Sequence, residues 1–272
     1  MVKVLITIPI YKEFPNTNEK KSFKQCLRIL SNHPVCIITF RSLDISFYRD
    51  IAKTENVTFQ VKFFSEKYFK SISGYSRLMI SSKFYSSFKS YEFLLIYQLD
   101  AWVFRDDLLQ WCSKDYDYVG APWFTGYDET KGIKKAFNAV GNGGFCLRKT
   151  QSMLRVLNTF SYIYSFNECL AFLNKQDDWS LLKKIFSLMK SFTISNNTFH
   201  LFNNYSWQED MFWCSEVAPR FSWFKTAPFE EAVKFSIEKY APECYEYLGQ
   251  KLPFGAHAWW HEDDAGFWNK FI

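Results

Sequence analysis

The sequence predicts an α/β fold with a mostly parallel central sheet flanked by helices. Three observations predict it. Apolar runs of strand length alternate with helically spaced segments over the first hundred residues. The chain has 272 residues, enough for one sizeable core and one or at most two domains. Hydrophobic residues make up 48% and aromatics 21%, so the chain folds rather than staying disordered.

The elements follow in order. Val2–Ile10 reads as a buried strand, Lys20–Leu30 as a helix with Phe23, Leu27 and Leu30 on one side, and Val35–Phe40 as a second strand. Ser46–Lys53 is a short helix, Val57–Phe64 alternates with period two, Tyr75–Phe88 is helical, and Phe93–Tyr97 is again a strand. This rhythm means βαβ units and parallel pairing. The second half is less regular. Tyr118–Trp123 and Gly143–Arg148 read as strands, and Phe124–Val140, with Gly126 and Gly132, as a mobile polar loop that could close over a ligand. Gln151–Lys190 is largely helical, with further helices at Gln208–Val217 and Pro242–Leu248.

Bulk charge and cysteine usage exclude several classes. Lys and Arg number 33 against 28 Asp and Glu, giving +5 with no basic block, which is not a nucleic-acid footprint. The 7 cysteines are scattered without a C-x-x-C pair, so neither a disulfide framework nor a zinc site is supported, and reduced thiols in a cytosol are the plain reading. Met1–Tyr11 reads as a strand instead of a signal peptide, and no apolar run approaches membrane-spanning length.

Ligands of parallel sheets bind beyond the carboxyl ends of the strands. That directs attention to Pro9–Tyr11, Thr39–Arg41 and Gln98–Asp100. Four short constellations could carry chemistry. Asp100 ends the run Phe93–Tyr97-Gln98-Leu99, where a carboxylate either holds a divalent cation or caps a turn. Gly141-Asn142-Gly143-Gly144 lets the backbone pass close to a ligand, or makes a tight turn. In Ser206-Trp207-Gln208-Glu209-Asp210, Ser206 and Glu209 fit a capping box, which leaves Asp210 in the first helical turn unaccounted for by capping. His257 follows a Gly turn beside Trp259 and Trp260, as a metal ligand, a sugar neighbour or a structural histidine.

In this order, from Val2 to about Trp260, the constellations resemble GT-A-type glycosyltransferases, with the pattern closest to uncharacterised bacterial and viral domains of that kind. The resemblance implies a GT-A-like, Rossmann-type nucleotide-sugar-binding fold with a helical insertion. The chain would be one such domain over 1–272: a nucleotide-sugar half at 1–105 and an acceptor-side half at 106–272, with the helical segment at about 151–205. It is weakest between Leu154 and Asn204.

The same resemblance assigns roles. Gln98-Leu99-Asp100 stands at the family's D-x-D-like motif, with Gln98 replacing the first acid. Asp100 and His257 would hold Mn²⁺ or Mg²⁺. Pro9, Ile10 and Tyr11, with Thr39 or Arg41, would contact the nucleotide, and Arg77 would approach the donor. Asn142, Gly143 and Gly144 match the loop that contacts donor sugar and acceptor. Trp123, Trp207 and Trp259 either stack on sugar faces or pack in the core. Asp210, or Glu209 if the helix is turned, would be the general base of an inverting transfer. A nucleotide sugar, UDP-linked by preference, would be the donor, and a glycan or lipid-linked glycan the acceptor.

Residues 179–190 place Trp179, Leu182, Ile185, Phe186 and Met189 on one helical face with lysines off it. This reads as a helix packed on the core, with a basic interfacial helix at a membrane surface as the other reading. The expected location is the cytoplasm or the inner face of a membrane. A sugar-phosphate nucleotidyltransferase is the enzymatic rival, opposed by the absence of glycine from Ile8–Pro15, and an inactive nucleotide- or carbohydrate-binding protein is the rival kept alive by Gln98.

Overall fold

The computed structural model describes residues 2–125, 133, 137–260 and 264–272. Its centre is a six-stranded sheet. Strand β1 is Val2–Pro9, followed by α1 (Thr17–Ile29), β2 (Val35–Thr39), α2 (Ser46–Thr54), β3 (Phe59–Phe63), α3 (Ile72–Met79), α4 (Ser82–Ser86) and β4 (Tyr91–Tyr97). Then come β5 (Ala101–Val103), α5 (Leu108–Ser113), β6 (Tyr118–Val119), β7 (Pro122–Phe124), β8 (Phe137–Val140) and β9 (Phe145–Lys149). The strand order is β3-β2-β1-β4-β9-β6. The first four are mutually parallel, and β9 is antiparallel to β4 and β6.

Alternation within the strands explains the layering. Phe93, Leu95 and Tyr97 of β4 enter one apolar cluster with Ile6 and Ile8 and the inner faces of α1, α2 and α5. Leu94 and Ile96 enter the other, with Leu78, Met79 and Phe84 of α3 and α4. A strand buried on both faces needs apolar residues at every position, which is why these runs are continuous instead of alternating. Each such side chain contributes about 1.5–3 kcal/mol.

The helix predicted at Tyr75–Phe88 is two helices. Ser81 caps α4 by accepting from Phe84 N, so the chain turns between Ile80 and Ser82. The Tyr118–Trp123 strand is likewise two, β6 and β7. The region read as a loop at Phe124–Val140 contains β8, hydrogen-bonded to β7; Gly126 and Gly132, and closure of that loop, lie outside the described residues.

The Gln151–Lys190 region is three helices, α6 (Thr150–Leu157), α7 (Phe166–Asn174) and α8 (Leu181–Lys190), followed by α9 (Thr198–Asn204). Capping explains the breaks: Ser165 forms a capping box with Glu168, and Ser180 accepts from Lys183 N. A continuous helix α10 over 209–220 contains a π-helical stretch at Phe212–Val217. After α11 (Phe229–Phe235) comes β10 (Ser236–Ile237), then α12 (Ala241–Tyr247) and β11 (Gly255–His257). A small sheet β10-β11-β5 pairs His257 with Ala101 and Ile237 with Ala256. It therefore draws Asp100, Glu238 and His257 together at neighbouring strand ends. Among the described residues no helix is long and apolar enough to cross a membrane, and no cysteine is paired.

Candidate active site

Strands β2 and β3 lie to one side of β1 and β4 to the other, so chain order reverses between β1 and β4. A crevice opens there, beyond the carboxyl ends of the strands. A pocket of about 830 Å³ occupies it, with Pro9 and Tyr11 from the end of β1 and Gln98, Leu99 and Asp100 from the end of β4. Asn142, Gly143 and Gly144 form a second wall, Glu209 and Asp210 a third, and His257 with Glu238 a fourth. Tyr75, Ser76 and the stretch Phe69–Ile72 also line it, as do Asn16, Glu19, Gln208 and Trp260.

The glycine-rich loop and the turn after β4 touch directly, because Gln98 N donates to Gly144 O at 2.7 Å. Asn142 sits at φ 71°, the left-handed region that asparagine tolerates better than most side chains. Its Oδ1 accepts from Gly144 N at 3.0 Å, while its Nδ2 is buried without a hydrogen-bond partner. The glycines are demanded by neighbours. A Cβ on Gly143 would lie 2.0 Å from Glu209 Oε1, and one on Gly144 1.9 Å from His257 Nε2.

Glu209 has a different partner from the capping role its spacing suggested. The residue at the helix N-cap is Gln208, and Ser206 does not cap α10. The Glu209 Oε2 instead accepts from Arg148 Nη2 at 2.7 Å, both side chains being buried. A guanidinium without water needs a carboxylate more than a helix end needs a cap. Arg148 also donates to the Tyr85 hydroxyl at 3.0 Å and lies over the Tyr118 ring. Burial pushes the Glu209 carboxyl up to about 7 against the opposing pull of Arg148.

Asp210 lies beside it, 9% exposed. Its Oδ2 accepts from Gly143 N at 3.2 Å and its Oδ1 from Met211 N at 2.8 Å. Burial raises its pKa above the ordinary value, and the backbone donors partly restore it. A carboxylate of raised pKa, held by backbone and open to a pocket, can accept a proton.

His257 lies between two carboxylates. Its Nδ1 is 3.1 Å from Glu238 Oε1 and its Nε2 3.1 Å from Asp100 Oδ1. Burial alone would depress the imidazole, but the two carboxylates outweigh it and push its pKa up to about 10. Nε2 is buried yet makes no well-aligned hydrogen bond. A histidine whose Nδ1 side is oriented by a carboxylate and whose Nε2 faces another oxygen ligand fits a divalent cation. Asp100 and His257 are the residues that would hold it. Among the described residues no group of three His, Cys, Asp or Glu forms a closed metal cage.

The pocket thus brings together Pro9, Tyr11, Gln98, Asp100, Asn142, Gly143, Gly144, Glu209, Asp210 and His257. Seven expected residues stand apart from it, Trp259 among them as a core side chain packed on Trp102. Ile10 is a core side chain, and Thr39 is fully buried in β2. Arg41 is drawn over the Phe63 ring, 5.2 Å from its centre. Arg77 donates to Asn203 O and lines a separate hollow with Lys67 and Lys83. Trp123 fills the space left by Gly141, and Trp207 is exposed outside the lining. Sequence reasoning missed Arg148, Glu238 and Tyr75, which gain their neighbours only through tertiary pairing.

A family model described as "Protein of unknown function (DUF5672)" matches residues 58–257. No curated protein matches the chain by sequence. Among solved structures the chain is similar to core-mannan synthase A from Aspergillus fumigatus in its Mn/GDP form, at 8% identity and TM-score 0.41, covering 56% of this chain and 60% of that one. It is also similar to a glycosyltransferase involved in glycosylation of the major capsid of PBCV-1, at 10% identity and TM-score 0.39, covering 99% and 98%. The glycosyltransferase GlyE of Streptococcus pneumoniae matches at 10% identity and TM-score 0.42, covering 95% of this chain and 55% of that one.

Proposed function

We propose that this chain, which belongs to the DUF5672 family, is a nucleotide-sugar-dependent glycosyltransferase of the GT-A kind, transferring with inversion to the hydroxyl of a glycan or lipid-linked glycan. The observation that carries the reading is the meeting, in one pocket at the sheet's switch point, of the Asp100–His257 pair, the Asn142–Gly144 loop and the Asp210 carboxylate. It is supported by the unequal environments of the two adjacent acids. Glu209 is tied to Arg148, whereas Asp210 is held by backbone donors alone among its hydrogen bonds.

Pro9 and Tyr11 would pack on the nucleotide base. Asp100 and His257 would hold Mn²⁺ or Mg²⁺, which when bound neutralises charge on the diphosphate. The imidazole favours Mn²⁺, because Mg²⁺ takes oxygen ligands. Asp210 would orient the acceptor hydroxyl and take its proton as the oxygen bonds to the anomeric carbon. The bond from that carbon to the diphosphate oxygen breaks, and its electron pair leaves with the nucleotide. Glu209 packs directly behind the Gly143 wall. Residues 1–105 would supply most donor contacts, and 106–272 the base and the acceptor side.

The test is nucleotide release from a panel of nucleotide sugars with Mn²⁺, starting with UDP-sugars, beside Asp210→Asn and Asp100→Asn. Release from one donor that both substitutions abolish supports the reading. Donor binding without release, whatever glycan is added, would replace it with an inactive binder.

A further inference from the structure

The segment between α6 and α10 shows the reverse of ordinary packing. Leu181, Leu182, Ile185, Phe186 and Met189 of α8 face solvent, Leu182 at 80% and Phe186 at 70% exposed. The half-buried side of the same helix is Lys184, Ser187 and Leu188. The reading of this helix as packed on the core by its apolar face is therefore overturned: that face points outward.

The exposed surface continues beyond α8. Phe199, Phe160, Tyr162, Phe192 and Phe166 form a chain of ring contacts with centroids 5.3–5.8 Å apart. Phe160, Tyr162 and Phe166 are each more than half exposed. An apolar patch of this extent marks an interaction surface.

Charge identifies the occupant. With 3.6 residues per turn, Lys183, which also lies over the Trp179 ring, and Lys190 line one edge of the apolar face; α8 itself carries no carboxylate, the nearest acids along the chain being Asp177 and Asp178 ahead of its first turn. At the other end of the ring chain, Phe199 lines the hollow that also holds Lys67, Arg77 and Lys83. Cations beside an outward apolar face match lipid phosphates lying beside acyl chains. A second copy is a poorer match, because a two-fold pairing of this face would set lysine helix against lysine helix. The helix has 10 residues, too short to span a bilayer, so a membrane contact made by it would be interfacial.

We propose that the 160–199 insertion docks the protein on an anionic membrane surface, with the outward face of α8 and the aromatic ribbon in the acyl boundary and the flanking lysines on lipid phosphates. The basic hollow and the active-site pocket share one stretch of chain. Lys67, Tyr68 and Gly74 line the first, and Phe69, Ser71 and Tyr75 the second. Docking would bring the headgroup layer to the far side of that wall. The inference stands apart from glycosyl transfer, since lipid binding is read without turnover.

The test is co-sedimentation of the full chain with phosphatidylcholine vesicles with and without phosphatidylglycerol, alongside sedimentation equilibrium without lipid. Binding to the anionic vesicles is expected, weakened by salt. The Leu182→Glu/Phe186→Glu variant should bind more than about tenfold less, and Lys183→Gln/Lys190→Gln about tenfold less on anionic vesicles only. Unchanged thermal unfolding of both variants keeps the comparison one of surfaces. Absence of vesicle binding, equal binding by the variants, or a lipid-free dimer abolished by Leu182→Glu/Phe186→Glu would each overturn the proposal.

Discussion

The pocket and the 160–199 insertion depart from the rule of apolar inside and polar outside in opposite directions. In and behind the pocket wall, Arg148 and Glu209 are buried and Asp210 and His257 nearly so, each with a specific partner. In the insertion, Leu181, Leu182 and Phe186 stand in solvent with few partners. A buried charge is expensive and persists only when a partner offsets it, as Glu209 does for Arg148. An exposed apolar face costs the isolated chain little in local packing and gains only when something covers it. The two departures therefore support the two proposals separately, transfer at the pocket and docking at the insertion.

Asp210→Asn tests the first half most severely. Removing the proposed base should lower kcat/KM by about 10²–10⁴-fold with thermal stability retained. Activity near the level of the unaltered chain would move the base elsewhere. Glu209→Ala should instead unfold the chain more easily, by about 3–5 kcal/mol in denaturant titration, because Arg148 is left buried and uncompensated. If both substitutions behaved alike, the division between a reacting and a positioning carboxylate would fail.

Gly144→Ala should cost about 1–3 kcal/mol by overpacking against His257 and should abolish any stabilisation by Mn²⁺ in a melting assay. Persistence of the Mn²⁺ effect would remove His257 from the ligand set. The pH dependence of stability sharpens the same region. Burial lifts Glu209 from 4.5 to about 7, so between those values the folded chain holds a proton that the unfolded chain has released. Its contribution to stability should fall as pH rises through that window, and Glu209→Gln should flatten the slope. The smallest effect belongs to the insertion. Leu182→Ser should change stability by less than about 0.5 kcal/mol, against about 2–5 kcal/mol for Leu95→Ala in β4.

How much the sequence revealed follows the range of the interactions. Strands β1, β2 and β4 were legible because a short run apolar at every position, bounded by turn residues, fits a strand covered on both faces. Asp100, the glycine loop and Asp210 were legible because each departs from its local pattern. The pairing of Arg148 with Glu209 was not, since the residues lie 61 apart and each had a local account, a strand end and a helix cap. Glu238 follows a strand of 2 residues whose register depends wholly on β11. The outward face of α8 was misjudged because periodicity locates an apolar face without stating which way it looks.

The close approaches around the glycine loop also bear on how this pocket could be redesigned. Gly141 meets Trp123, Gly143 meets Glu209 and Gly144 meets His257, each at a separation no side chain would leave intact. A mutational library aimed at this pocket would lose most clones that replace one of these glycines. Productive diversity lies on the opposite bank, at Phe69, Lys70 and Ile72, which face the same cavity from a short exposed segment.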